Sequence, residues 1–241
     1  MASKFNALLK YRLDYIAMLY RKWEPMDDMH NLLVESIITT IQQPNTVWEL
    51  GTGEGHWAAV LGKSCFPSAN ITLVEDFSMH EDYDFIDTEE KLNAYIKQFE
   101  LPNCQLLNCS IQNLPDSDEK IDLIRLDCDS NEHELVADWI HRNGSEKLVV
   151  FIDDADLCRR FDRFLLVQSI PDLEPIYLSN DFACFAKPGV IDVFYLMQLI
   201  KMFPIHERWF ELIGLNKFKL KDKRYDYINA RIKANYNEQP K

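Results

Sequence analysis

The stretch Val47-Trp48-Glu49-Leu50-Gly51-Thr52-Gly53-Glu54-Gly55-His56-Trp57 constrains the fold of this chain more than any other. A short apolar run enters three glycines spaced two apart, and a helical pattern follows from His56. Glycine takes left-handed backbone angles at little steric cost, so such a turn is tight and brings its N–H groups close to a ligand. A second apolar run, Ile71-Thr72-Leu73-Val74, ends in Glu75-Asp76. That is close to the separation of about 20 residues at which nucleotide-binding βαβ units place a ribose-binding acid. The glycine spacing departs from the dinucleotide G-x-G-x-x-G pattern, and Glu49 stands just before the turn.

Apolar side chains at 5, 8, 9, 13, 16, 19, 20 and 23 predict a helix over Phe5–Trp23, which Pro25 ends. Asp27 or Asp28 caps a second helix, Met29–Gln42, which Pro44 closes. From Val47 strands and helices alternate. Strands are expected at Thr46–Leu50, Asn70–Glu75, Cys104–Asn108, Ile121–Leu126 and Leu148–Ile152. Helices are expected at His56–Ser64, Asp87–Phe99, Glu132–Arg142 and Leu157–Val167, with a surface loop over Ser78–Asp87. This order predicts a parallel sheet with right-handed crossovers. Pro175–Leu178 and Phe182–Lys187 read as a hairpin turning at Ser179-Asn180-Asp181, and Val190 to Tyr236 as two or three further helices. With no repeat or low-complexity linker, residues 1–241 read as a single domain: a helical cap over 1–45, a core over 46–188 and a helical extension over 189–241. The cap reads either as a lid or dimer element over a ligand crevice, or as plain packing on the sheet.

A net charge of −13 disfavours a nucleic-acid partner, which needs clustered Lys and Arg. The basic residues between Lys217 and Lys233 are interrupted by Asp222 and Asp226 and read as a solvated helix face. No apolar run approaches the ~20 residues of a membrane span, and Met1-Ala2-Ser3-Lys4-Phe5 leads into no signal-peptide core. A cytoplasmic protein with neither nucleic acid nor membrane as partner is expected. Cysteines at 65, 104, 109, 128, 158 and 184 form no C-x-x-C pair and mostly sit beside apolar runs, as buried reduced thiols do.

The block Glu49-x-Gly51-x-Gly53-x-Gly55 resembles the first motif of class I S-adenosylmethionine (SAM) dependent methyltransferases. The resemblance covers about Val47 to Lys187. It implies a Rossmann-like α/β fold, a mostly parallel seven-stranded sheet with a C-terminal antiparallel hairpin, here carrying extra N- and C-terminal helices. It also implies SAM as cofactor, its methionine end over Gly51, Thr52, Gly53 and Gly55. Glu49 would orient the glycine loop or reach the amino group, and Glu75 and Asp76 would stand at the ribose. Ser110 and Ile111 fall at the adenine position, where Cys109-Ser110-Ile111-Gln112-Asn113-Leu114-Pro115 replaces the family's usual Gly-Asp-Ala-x-x-Leu-Pro.

Asp127, Asp129, Asp153 and Asp154 fall at the carboxyl ends of the fourth and fifth strands, where ligands sit in open parallel sheets. Carboxylates packed together repel unless protonated or shared by a cation, and Mg²⁺ or Ca²⁺ takes such oxygen ligands. Leu126-Asp127-x-Asp129 with Phe151-Ile152-Asp153-Asp154 resembles the catechol-type and macrocin-type O-methyltransferases. This implies Asp127, Asp153 and Asp154 as Mg²⁺ ligands, the metal lowering the pKa of a substrate hydroxyl that attacks the methyl group in line. Asp127 would also lie beside the cofactor's methyl group. Cys128 stands where the macrocin type has Gly, and Ser130 where it has His. His133, on the first turn of the next helix, is a candidate general base, and a solvent-facing helix residue is the plainer reading. Helix capping accounts for one acid at each strand end but not for the doublets.

The activity implied is SAM-dependent O-methylation of a small-molecule acceptor of the secondary-metabolite type, and a homodimer through the terminal helices is compatible with it. Two other readings stay open. One is an enzyme of the same fold that uses the aminobutyrate arm of SAM for cyclisation, elimination or 3-amino-3-carboxypropyl transfer. The other is a catalytically silent partner subunit, against which the intact glycine motif and Glu75 argue.

Overall fold

The computed structural model describes residues 29–53, 55, 57–62, 65–77, 89–98, 100–101, 103–128, 133–153, 167–178 and 182–202. Strands β1 (Thr46–Leu50), β2 (Asn70–Glu75) and β4 (Ile121–Leu126) are buried nearly throughout and mostly apolar because both of their faces are covered. They join β3 (Cys104–Asn108), β5 (Gly144–Ile152), β6 (Glu174–Leu178) and β7 (Ala183–Ala186) in a seven-stranded sheet of order β3-β2-β1-β4-β5-β7-β6. The first five strands pair in parallel, and β7 runs antiparallel to both β5 and β6. This is the mostly parallel sheet with a closing hairpin that the sequence predicts. The chain runs outward from β1 through β2 to β3, then crosses back to place β4 on the other side of β1. The switch point therefore lies at the carboxyl end of β1, directly beneath the glycine loop.

Alternate residues divide the core into two layers. Val47, Leu73, Leu123, Val149 and Phe151 pack with Trp57, with helix α1 (Met29–Gln42) and with Leu196 and Leu199 of α4 (Val193–Met202). Trp48, Leu50, Ile124, Leu126, Val150 and Ile152 pack on the opposite face against α3 (His133–Asn143), where Trp48 and Trp139 stand 5.1 Å apart at 53°. Helix α2 (Glu89–Gln98) places Leu92 under the glycine loop. Helix α1 is buried almost all round. Its hydroxyls are satisfied within the helix, Ser36 bonding to Leu32 O, Thr39 to Glu35 O and Thr40 to Ser36 O. Of the two readings of the N-terminal cap, α1 takes plain packing on the sheet.

Three local features differ from the sequence expectation. After Trp57 the chain makes a π-helical turn, Ala58–Gly62, within the expected helix. Strand β5 begins at Gly144 instead of Leu148, because its polar start pairs by backbone with β4 (Gly144 opposite Ile121) and Ser145 Oγ donates to Asp122 Oδ1 at 2.7 Å. Pairing, not burial, makes that extension a strand, so hydropathy misses it. Finally, the β3–β4 connection holds only a 3₁₀ turn, Ile111–Asn113. With no full crossover helix there, β3 stays half exposed. A cleft of about 740 Å³ lies between the starts of β1 and β2, most of β3 and the segment Pro115–Glu119.

The predicted helices at 5–23, 157–167 and beyond 202, the loop at 78–87 and the turn at 179–181 lie outside the described residues. No helix among the described residues is long and apolar enough to cross a membrane.

Candidate cofactor site

All three loop glycines take left-handed backbone angles, φ +81° at Gly51, +52° at Gly53 and +74° at Gly55. The loop is stitched to the sheet by the Gly51 and Thr52 N–H groups, both donating to Val74 O at 2.9 and 3.2 Å. The Gly55 N–H closes the turn on Thr52 O at 2.9 Å. A Cβ at Gly51 would lie 2.7 Å from the backbone N of Cys128, so the loop rests directly on the end of β4. A Cβ at Gly53 would meet nothing within 4 Å. Gly51 is therefore needed for packing, whereas Gly53 borders open space, as a backbone cradle for a ligand does.

Glu75, at the tip of β2, accepts the Gly53 N–H at 2.7 Å through Oε2, joining the predicted ribose acid to the loop. Asp76 follows, half-buried, its N–H donating to Glu75 Oε1 at 3.2 Å. Ser110 opens the 3₁₀ turn and its Oγ accepts from Asn113 Nδ2 at 2.9 Å, while Ile111 packs on the core layer holding Trp48. Cys109, just before them, bonds through its N–H to Glu75 O at 3.1 Å. Glu49, Gly51, Thr52, Gly53, Gly55, Glu75, Asp76, Ser110 and Ile111 thus line one edge of the sheet, at the carboxyl ends of β1–β3.

Of the two roles expected for Glu49, the structure favours orienting the loop. Its side chain is buried beneath the turn, with Oε2 accepting the Thr52 hydroxyl at 2.9 Å. Its other oxygen meets Arg125, which sequence reasoning did not single out. Arg125 Nη1 lies 3.0 Å from Glu49 Oε1 and 2.9 Å from Asp127 Oδ2, and Nη2 bonds Asp153 Oδ2. Nε stands 3.6 Å from Glu35 Oε1 on α1, and the guanidinium carbon sits 5.4 Å from the Trp57 ring centre. Glu35 also accepts the Trp57 indole N–H at 2.7 Å. Glu49 and Arg125 are register partners on adjacent strands, and residues 125, 127 and 153 project to the same face, so period-two alternation brings them together. The sequence signal was a cation in an interior apolar strand, which needs acids around it.

Four carboxylates share this one guanidinium. Burial pushes both Glu35 and Glu49 up to about 8, against the pull of Arg125. Burial opposes the Arg125 charge, but the acids, Asp153 first, outweigh it and hold its pKa above the ordinary value. Each glutamic acid binds its proton more tightly folded than unfolded, so their contribution is complete below the unfolded pKa. It is lost as pH rises through about 8. The melting temperature is expected to fall on the order of 5 °C between about pH 6 and pH 9. Glu35→Gln, which removes one of these protons, should flatten that slope in a fluorimetric melt. Equal slopes in variant and wild type would contradict the assignment.

Asp127 and Asp153 extend their strands' ladders, Asp127 N–H donating to Leu50 O at 2.8 Å and Asp153 N–H to Leu126 O at 3.0 Å. They do come together at the strand ends, but on Arg125. Among the described residues no three His, Cys, Asp or Glu side chains are grouped to hold a metal. The expected Mg²⁺ set of Asp127, Asp153 and Asp154 therefore finds no fit in the two members described, whose inner oxygens already face a cation. Asp154, Asp129, Glu54 and His56 lie outside the described residues, and of His133 only the backbone, at the start of α3, is described.

The chain matches no family profile and no curated protein sequence. Its fold is nonetheless shared with solved structures. It aligns with an O-methyltransferase from Bacillus cereus in complex with S-adenosylhomocysteine (SAH) at a TM-score of 0.53 and 14% identity, over 75% of this chain and 90% of that one. A methyltransferase from Geobacter sulfurreducens aligns at 0.51 and 16%, over 73% and 87%. An O-methyltransferase of tomaymycin synthesis from Streptomyces achromogenes, in complex with SAM, aligns at 0.50 and 12%, over 74% and 90%. The architecture is the Rossmann-like class I methyltransferase fold.

Proposed function

We propose that this chain binds SAM at the carboxyl ends of β1, β2 and β4 and transfers its methyl group to an oxygen of a small-molecule acceptor. The observation that carries the reading is the loop itself: three left-handed glycines, with open space at Gly53 and Glu75 bonded to its N–H, next to Asp127. The fold neighbours that hold SAM or SAH support the cofactor, and the O-methyltransferases among them support the acceptor atom.

Bound SAM supplies an electrophilic methyl group on a sulfonium. The rest is done by the chain. Glu75 accepts hydrogen bonds from the ribose hydroxyls, exchanging its Gly53 contact for them, and Asp76 stands beside it. The Gly53 N–H freed by that exchange and Asp127 receive the amino-acid end. Among the four carboxylates on Arg125, Asp127 has much the most exposed side chain, at 29%, so it is the one that meets a ligand. Ile111 packs on the adenine ring, and Glu49 holds Thr52 from below. Substrate positioning, with the acceptor oxygen in line with the methyl group, carries the rate.

Calorimetric titration of SAM tests this. Wild type should bind, and Glu75→Ala should bind at least about tenfold more weakly, the loss of one or two charged hydrogen bonds. Wild type that fails to bind SAM refutes the proposal and moves the silent partner subunit ahead. With acceptor extracts, SAH as product means methyl transfer, whereas methylthioadenosine means that the aminobutyrate arm was used.

A further inference from the structure

The acids at the strand ends call for a cation, and one is already built in. Glu49, Asp127 and Asp153 each place a carboxylate oxygen on the terminal nitrogens of Arg125, and Glu35 stands beside its Nε. A divalent ion shared by Asp127 and Asp153 through these inner oxygens needs metal–oxygen distances of about 2.0–2.6 Å. That position is the guanidinium's. Of the two described strand-end aspartates only one side chain is well exposed, Asp153 being 12% exposed against 29% for Asp127. The wall behind is the Trp57 ring, which faces the guanidinium and has no ligand for a hydrated metal. A planar, delocalised, weakly hydrated cation suits such a dry, many-acid cage better than a strongly hydrated ion.

We infer that Arg125 is the resident cation of this site: a positioning residue that holds Asp127, Asp153 and Glu49 in place, so that Asp127 and Asp153 take no divalent metal between them and cofactor binding needs none. Asp127 is thereby fixed through one oxygen at the mouth of the site. Through Glu49 and Thr52 the same guanidinium sets the underside of the glycine loop. The consequence for the cofactor rests on the SAM reading above; the exclusion of metal does not.

The test uses the wild-type chain and Mn²⁺, whose free-ion paramagnetic resonance signal disappears on binding. Wild type should leave the signal intact. Saturable uptake by wild type that is weakened by Asp153→Ala overturns the inference. Arg125→Gln, with a native near-ultraviolet circular dichroism spectrum, should take up Mn²⁺ at least about tenfold more tightly than wild type, because the acids lose their counter-ion. A native Arg125→Gln with no gain overturns the inference as well. Should that variant not fold, the wild-type result decides. In parallel, the SAM dissociation constant should change less than about twofold between EDTA and added Mg²⁺. SAM binding that appears only with Mg²⁺ overturns this inference while leaving the cofactor proposal standing. SAM that binds under neither condition refutes the cofactor proposal, and the Mn²⁺ signal still decides the exclusion of metal.

Discussion

Arg125→Ala is expected to lower the melting temperature by about 10 °C. Removing one partner of a buried ionic cluster costs about 3–5 kcal/mol, because the remaining charges keep their desolvation penalty and lose their compensation. Here Asp127 and Asp153 lose their common counter-ion, and Glu35 and Glu49, almost fully buried and protonated below about pH 8, lose the cation beside them. The loss is also coupled. Arg125→Ala combined with Glu35→Gln and Asp153→Asn should recover part of the stability, since Asp153→Asn removes a charge and Glu35→Gln a buried acid that ionises as pH rises. Thermal melts of the single and triple variants check this. A single variant within about 2 °C of wild type would mean that the cluster contributes nothing net.

Gly51→Ala is expected to reduce SAM affinity at least 100-fold, or to abolish binding, with the sheet still intact by circular dichroism. The new methyl group would stand 2.7 Å from the N and Cα of Cys128 and 2.8 Å from the carbonyl carbon of Asp127, all backbone atoms that no rotamer change can move. The residue must also keep φ +81°, at a cost of roughly 1–2 kcal/mol for a residue with a Cβ. Both strains are relieved only by lifting the loop from the end of β4, which displaces the cradle. Gly53→Ala meets no atom and carries only the cost of its left-handed φ of +52°, roughly 1 kcal/mol, so affinity lost beyond that comes from the ligand's side. SAM titration of both variants separates packing from cradle. Wild-type affinity in Gly51→Ala would show that the loop is not the binding element.

Much of this architecture is legible in the sequence. The strand boundaries of β1, β2 and β4 fall where the apolar runs fall, because strands covered on both faces are built mostly from apolar side chains. The glycine loop and Glu75 were legible too, since left-handed angles and a strand-tip acid leave local marks. What was not legible is the company each acid keeps. Asp127 and Asp153 read as metal ligands because strand-end doublets lack an evident counter-ion. Their partner is Arg125, two residues before Asp127, and its cross-strand partner Glu49 had been assigned to the loop or to the cofactor's amino group. Glu35 was invisible for a different reason: one acid on an apolar helix looks solvent-facing until the helix is placed on the sheet. Pairing between strands and packing of layers are long-range facts, and a pattern read along one strand does not contain them.

The same cluster bears on how the chain reaches its native state. Arg125 draws its partners from α1, β1, the end of β4 and the end of β5, spread along most of the described sequence. A half-formed sheet that buries β4 before α1 docks or β5 aligns encloses a cation without its acids and is raised in energy by that charge. A one-residue slip of β1 against β4 does the same, since it turns Glu49 to the opposite face. The buried guanidinium is therefore a register mark: only the arrangement that brings all of these segments together surrounds it with its acids.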